Sequence, residues 1–436
     1  MKQEVKLAKT LTLFQVVFLG LAWMTPMIYF SIYGIAYEAS QGMLTQAYSL
    51  AFLAIVFTAY SYSIMARAYP TSGSAYTYVK KAIHPYLGFL VGWAILLDYL
   101  FSPIIACLTF GIYMHAQFPS IPAAAWMIVI NVAVTIVNLR GVNISANLSK
   151  IIVLLQMGFI ALFCILLAKQ LSDVSAPLHP FLQTDVPLPT VLAGASMICF
   201  SFLGFDSVSN MSEETKNSGK NIPKAIFIII LTASVLYIVP SLLTQLVFPH
   251  ITFLDVDSAG LEIVKMVGGA GLSAIFIVVL MFAIFSQGLS SVTSVSRLLY
   301  VMGRESILPK RWFGMIHSKY KTPAFNILFT GIISLFALVI SLDTAVKFVN
   351  FGALTAFIFI NLSVIFKRYI KDRQRSPLQT VLYLICPIIG MCVVSWLLSL
   401  LDTSALMMGA GWLLFGIVYR LYKTKWVSNR SVVFSE

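Results

Sequence analysis

Two aspartates stand inside long apolar stretches of the sequence. Asp98 lies in LVGWAILLDYLFSPIIACL, and Asp206 lies in ICFSFLGFDSVSN. A carboxylate held away from water is costly unless a cation, a proton or hydrogen-bond donors accompany it. Each residue is therefore a candidate for binding an organic ammonium or carrying a proton. The structural alternative is an aspartate that caps a helix or bonds a neighbouring tyrosine.

Aromatic and small residues surround the two aspartates and define a set of candidate contacts. The face of an aromatic ring attracts a cation, although a single ring in an apolar chain is more often a packing residue. The candidates for ligand contact are Asp98, Asp206, Trp23, Thr25, Tyr29, Phe30, Tyr99, Phe202, Gly204 and Phe205. The five cysteines and five histidines show no metal-ligand or nucleophile spacing, so we predict no metal, no cofactor and no enzyme.

The composition restricts the class of protein. Of 436 residues, 59% are hydrophobic and 10% are charged, and the mean hydropathy is +0.90. Soluble domains have about 45–50% apolar and about 25% charged residues. This excludes a water-soluble enzyme or a disordered regulator and indicates an all-α protein that lies mostly within a lipid bilayer.

Apolar runs of about 20 residues mark membrane-spanning helices. The sequence predicts twelve, at 11–37, 43–66, 85–114, 121–139, 145–168, 190–211, 225–248, 270–297, 324–341, 346–366, 377–400 and 404–422. No connecting loop is long enough to fold alone, so the whole chain, 1–436, is interpreted as one membrane domain. The loops offer no effector domain for a sensor, and the oligomeric state cannot be read from the sequence.

The basic residues follow the alternation of the predicted loops. One side of the membrane holds 26 of the 29 Lys and Arg residues, and the other holds three. The positive-inside rule then places both termini in the cytoplasm of a multi-pass protein of the cell membrane. The net charge of +13 is explained by topology and requires no nucleic-acid partner.

Two of the predicted spans contain residues that interrupt helices. Pro26 lies within the first, LGLAWMTPMIYFSIYG, and Gly204 and Asp206 lie within the sixth. Irregular backbone at membrane depth is tolerated where it lines a cavity, although Pro and Gly also make simple kinks. Weak helices at matching positions of two halves indicate a transporter site. Their five-span separation suits an inverted repeat, 1–168 and 190–366, followed by two additional helices, 377–422.

Three motifs, in order, resemble those of the amino acid–polyamine–organocation permeases over essentially the whole chain. They are ARAYPTSGSAYTYVKKAIHPYLGFLVGW at 66–93, FSFLGFDSVSNMSEETKNSGKNIPKAI at 200–226, and SRLLYVMGRESILPKRW at 296–312. Ser74 replaces a usual glycine, and Ser218 replaces a usual proline. The resemblance implies a leucine-transporter-type fold with broken helices 1 and 6, and secondary-active transport by alternating access.

Shorter segments are most similar to the putrescine-importer subgroup of that family. They are GIAYEASQG at 34–42, MARAYPTSGSAYTY at 65–78 and LLDYLFSPI at 96–104. The first break also lacks the glycines whose amides would hold an α-carboxylate, and Pro26 has no amide proton. These features favour import of an organic amine such as putrescine, and an amino acid substrate remains the alternative. A channel would need a continuous polar stripe, which the spans lack.

The sequence signals for ion coupling and gating are less specific than those for substrate binding. Some family members have a lysine at the position of Gln156, and its ammonium group takes the place of a bound sodium ion. Ser290, Ser291 and Ser294 offer oxygens to a sodium ion or else pack helices. Proton coupling through Asp98 or Asp206 stays open. Glu213 and Glu214 form either an inner gate with Arg67 or Lys150, or a solvated surface.

Overall fold

The computed structural model describes residue 9 and residues 11–140, 145–171, 186–317 and 322–433; of 145–147 and 424–433 it describes the helical backbone alone. Lys2, Lys6, Lys319 and Lys321, which contribute to the topology count, lie outside the described residues. Within the described ranges every regular element is helical, and one isolated parallel bridge joins Leu11 to Thr215.

The helices are numbered in chain order. Their bounds are α1 Leu13–Met24, α2 Ile28–Ser31, α3 Tyr33–Ala39, α4 Leu44–Ala68, α5 Ser74–Ala82, α6 Pro85–Gln117, α7 Ala123–Arg140, α8 Ser145–Gln170, α9 Leu188–Ile198, α10 Ser218–Val247, α11 Ala259–Arg304, α12 Lys310–Phe313, α13 Ala324–Ser334, α14 Leu342–Val364, α15 Pro377–Thr380, α16 Cys386–Ser399 and α17 Thr403–Val433. Short 3₁₀ segments follow α9 and α13, and π-helical turns follow α14 and α15.

Eleven helical segments of the described residues are long and apolar enough to cross a membrane. The predicted span at 324–341 is different, because it is a shorter apolar unit made of α13 and the 3₁₀ segment Leu335–Leu338. At about 1.5 Å per α-helical and about 2.0 Å per 3₁₀ residue it is about 24 Å long. A hydrocarbon core is about 30 Å thick. The helix lengths therefore give eleven candidate spans and one short helix, where the sequence predicts twelve spans.

The first span is interrupted where the sequence predicts a break. α1 begins with a capping box between Thr12 and Gln15 and ends at Met24. Thr25 has a φ of 52°, which is unusual for a β-branched residue, and α2 resumes at Ile28 beyond Pro26. Proline cannot donate a backbone hydrogen bond, and the helix is interrupted between Met24 and Ile28.

The sixth span is interrupted over a longer stretch. α9 passes into a 3₁₀ segment, Cys199–Phe202, and Leu203 is extended. Gly204 then has a φ of +116°, a conformation that L side chains rarely adopt, and a second 3₁₀ segment covers Ser207–Met211. The regular α-helical hydrogen bonding is lost from Cys199 onward. Backbone groups near Asp206 are therefore no longer paired within an α-helix.

α6 is the long helix that carries Asp98, and it is buried over most of its length between α11 and α14. α17 is fixed to it by a reciprocal pair of hydrogen bonds. The Trp93 indole donates to the Trp412 carbonyl at 3.0 Å, and the Trp412 indole donates to the Trp93 carbonyl at 2.8 Å. Their rings stack with centroids 5.1 Å apart. The last helix thus supports the scaffold one and a half turns from Asp98.

Candidate functional site

The two helix breaks are in direct contact. A Cβ atom on Gly204 would overlap the Trp23 indole and would lie 3.0 Å from Met24 Cγ. Glycine is required here for close approach as well as for its positive φ. The last turn of α1 therefore meets the interrupted part of the sixth span.

Asp206 lies at this junction and is fully buried. Its Oδ2 accepts a hydrogen bond from the Tyr99 hydroxyl at 2.9 Å. Its Oδ1 is buried and has no hydrogen-bond partner among the described residues. An unpartnered buried carboxylate oxygen costs free energy, and a positively charged donor would remove that cost.

Asp98 lies one residue before Tyr99 and is 1% exposed. Ser102, one turn later, donates to Asp98 Oδ1 at 3.3 Å and to the Asp98 carbonyl at 2.8 Å. The two carboxyl groups are close enough to interact electrostatically. The ion pairs of the described residues include neither of them, so both buried carboxylates lack a cationic partner within the described part of the chain.

Aromatic rings enclose the carboxylates on two sides. Trp23 packs edge-on against Tyr99 with centroids 5.4 Å apart. Phe205 contacts Tyr62 at 5.4 Å and Phe357 at 5.5 Å. The Tyr62 hydroxyl is buried and has no partner among the described residues. Rings and orphaned oxygens together suit a ligand with a charged nitrogen and an apolar body.

The remaining predicted aromatic residues lie outside this enclosure. Phe30 packs with Phe159, Phe163 and Phe276, which indicates a role in the packing of α2 against α8 and α11. Tyr29 shares a hydrogen bond of 3.0 Å with Thr244.

Phe202 contacts the same group of rings as Tyr29. It lies 5.3 Å from Tyr237 and 6.5 Å from Tyr48, and Tyr48 in turn contacts Tyr29. These rings form a separate aromatic cluster between α2, α4 and α10. The structure brings Trp23, Tyr99 and Phe205 to Asp206 and places Tyr29, Phe30 and Phe202 in packing contacts away from it.

Gln156 lies at the first break. Its Oε1 accepts a hydrogen bond from the Met27 amide at 3.3 Å, and its Nε2 is buried without a partner among the described residues. Thr25 directs its hydroxyl back to the Ala22 carbonyl at 3.0 Å. The side chain of Gln156 therefore stabilises the backbone that the break exposes.

The three serines of α11 differ in their surroundings. Ser291 is fully buried and donates to the Gly288 carbonyl within its own helix at 3.1 Å. Ser294 is 1% exposed and Ser290 is half-buried. The searched part of the chain contains no group of three His, Cys, Asp or Glu residues that could hold a metal ion.

The acidic pair after the sixth span has partners other than the predicted ones. Glu214 forms an ion pair with Arg297 of α11 at 3.1 Å, whereas Arg67 and Lys150 are exposed. Glu213 accepts a hydrogen bond from the Ser72 amide at 3.4 Å. In this structure the acidic pair contacts Arg297 and Ser72, and neither Arg67 nor Lys150 pairs with it among the described contacts. Folding brings α11, rather than the end of α4, to this carboxylate.

Comparison with known proteins identifies the family. The family model for amino acid permeases matches residues 14–418, which include both breaks and both carboxylates. The chain belongs to the amino acid permease family. It is a multi-pass membrane transporter rather than an enzyme.

Similar proteins of this kind transport different compounds. The low-affinity putrescine importer PlaP of Escherichia coli is 39% identical over 98% of this chain and 96% of its own length. The methylthioribose transporter of Bacillus subtilis is 30% identical over 96% of this chain and 94% of its own. The branched-chain amino acid permease BcaP of Bacillus subtilis is 27% identical over 97% and 94%.

Sequence reasoning missed three residues of the candidate site. Tyr62 and Phe357 complete the aromatic enclosure, and Asn210 donates to the Tyr99 hydroxyl at 3.1 Å. Tyr62 and Asn210 are polar groups inside predicted spans, which was a usable signal. Phe357 resembles every other phenylalanine of the chain, and only the packing of α14 against α4 distinguishes it.

Proposed function

We propose that this permease imports putrescine or a similar small organic diamine by alternating access around the two helix breaks. The observation that carries this proposal is the pair of buried carboxylates, Asp206 and Asp98, which form no ion pair with a cation of the described residues. A diamine offers one ammonium to each carboxylate and an apolar body to the Trp23, Tyr99 and Phe205 rings. The similarity to a putrescine importer over nearly the full length supports the same substrate class.

The first break supports an amine over an amino acid. A bound α-carboxylate needs free backbone amides at the end of a half-helix. Here Pro26 has none, the Met27 amide donates to Gln156, and the Ile28 amide donates to the Thr25 carbonyl at 2.8 Å. The Met27 and Ile28 amides of the first break are therefore already used.

We also propose how the helices are arranged and how the chain is oriented in the membrane. Residues 1–168 and 190–366 form two inverted repeats of five spans, and 377–422 add two helices, with the short helix α13 counted as the ninth of twelve spans. Both termini lie in the cytoplasm, as the 26-to-3 distribution of basic residues favours. Uptake is driven by a proton or a sodium ion, with Asp98, Asp206, Ser290, Ser291 and Ser294 as the candidate residues.

A binding screen tests this substrate class. Putrescine and other short diamines are expected to raise the unfolding temperature of the purified permease, because a ligand that binds only the folded state stabilises it. Monoamines should raise it less, since they occupy one carboxylate. Leucine and other amino acids should leave it unchanged. Stabilisation by an amino acid and not by diamines would contradict the proposal and support the amino acid alternative.

A further inference from the structure

A chain of hydrogen bonds joins Asp206 to the loop between α4 and α5. Tyr99 donates to Asp206 Oδ2 at 2.9 Å, and Asn210 Nδ2 donates to the Tyr99 hydroxyl oxygen at 3.1 Å. The Gly73 amide donates to Asn210 Oδ1 at 3.2 Å. Asn210 is 5% exposed, and its backbone carbonyl accepts a further bond from the Ser72 hydroxyl at 2.6 Å.

The backbone amide fixes the direction of this chain. An N–H group can only donate, so the Asn210 side chain must turn Oδ1 toward Gly73 and Nδ2 toward Tyr99. Nδ2 also only donates, so the tyrosine oxygen must accept from it. The single hydroxyl proton of Tyr99 is then directed to Asp206 Oδ2.

We infer that Asn210 is a positioning residue for Asp206, the carboxylate that binds the substrate. It fixes Tyr99 as a donor to Oδ2 of Asp206 and so leaves Oδ1, the unpartnered oxygen, for the ammonium of the substrate. Asn210 does not contact the substrate and acts only through Tyr99. This inference rests on the proposed function, because it takes Asp206 to be the group that binds the ammonium.

A double-mutant cycle on putrescine affinity tests the inference, with the full chain in lipid nanodiscs. Tyr99→Phe removes a hydrogen bond to a charged group and should weaken binding about tenfold. Asn210→Ala should weaken it about threefold to tenfold by releasing the hydroxyl. The double variant should bind no more weakly than Tyr99→Phe alone, since residues in one network are not additive.

The matched control is Asn131→Ala. Asn131 is also a buried asparagine, and it donates to the Gly331 carbonyl at 2.8 Å between α7 and α13, away from the breaks. This change should leave putrescine affinity unchanged in both backgrounds. The inference is overturned if Asn210→Ala weakens binding equally in the wild-type and Tyr99→Phe backgrounds, or has no effect in the wild type.

Hydrogen–deuterium exchange provides a second measurement that needs no substrate. The amide of Gly73 should exchange faster in Asn210→Ala and also in Tyr99→Phe, because either change loosens its acceptor, and Asn131→Ala should leave it unchanged. Exchange that is insensitive to Tyr99→Phe would overturn the inference even if putrescine binds. A wild-type protein that binds no putrescine would instead contradict the proposed function.

Discussion

Changing Asp206 to asparagine is expected to weaken putrescine binding about 100-fold or more and to abolish measurable uptake. Removing one partner of a buried ion pair costs about 3–5 kcal/mol, and every 1.4 kcal/mol is about a factor of ten in affinity. Asparagine has nearly the same shape and can still accept the Tyr99 hydrogen bond, so the change removes charge and little else. Equilibrium binding and uptake by the same preparation measure the effect.

The control for this variant is Asp343→Asn. Asp343 forms an ion pair with Lys347 at 2.5 Å, and its side chain is 38% exposed, far from the helix breaks in sequence. Because exposed ion pairs contribute little, putrescine uptake should stay within about twofold of the wild type. Near-normal uptake by folded Asp206→Asn would show that this carboxylate does not bind the substrate charge.

Changing Gly204 to alanine is expected to reduce uptake about tenfold or more. The new Cβ would overlap the Trp23 indole, and the φ of +116° is strained for any L side chain. Strain of this kind costs roughly 1–3 kcal/mol, and here its relief would separate the two breaks and displace Asp206. Uptake kinetics and thermal unfolding of the purified variant give the two readouts.

Gly158→Ala is the matched control for that change. Gly158 lies within α8, and a Cβ at this position would meet no atom within 4 Å. Alanine is the better helix former by about 1 kcal/mol, so stability should be equal or higher and uptake unchanged. Equal uptake by Gly204→Ala and Gly158→Ala would mean that the contact between the breaks is not needed for transport.

The positions of the two helix interruptions could be predicted because single residues with unusual backbone properties mark them. Pro26 has no backbone N–H to donate, and Gly204 adopts a backbone conformation that other residues avoid. The burial of Asp98 and Asp206 follows from their apolar neighbours in sequence. Local chemistry therefore predicts where the helices break and which charges lie between them.

The contacts across the site could not be predicted, because they depend on how separate helices face each other. Tyr62 and Phe357 are 295 positions apart in the sequence and meet with ring centroids 5.8 Å apart. Phe30 lies shortly after the first break, yet its ring turns toward α8 and α11. Proximity in sequence to a break does not give the direction of a side chain.

The ninth predicted span is shorter in the structure than in the prediction. Residues 324–341 are apolar throughout, so hydropathy alone reads them as one helix. In the structure α13 tightens into a 3₁₀ segment at Leu335 and ends before Ser341, whose hydroxyl caps α14 by accepting from the Thr344 amide at 3.2 Å. Ser341 thus marks the start of the next helix, and a capping serine at this position is a signal visible in the sequence.

Uptake of radiolabelled putrescine into proteoliposomes tests the central claim most directly. The vesicles would hold the full chain, an inside-negative potential and an inward proton gradient. We predict saturable uptake that excess unlabelled diamine abolishes and excess leucine does not. A folded preparation that accumulates a labelled amino acid but no putrescine would contradict the assignment of the two buried carboxylates to a diamine.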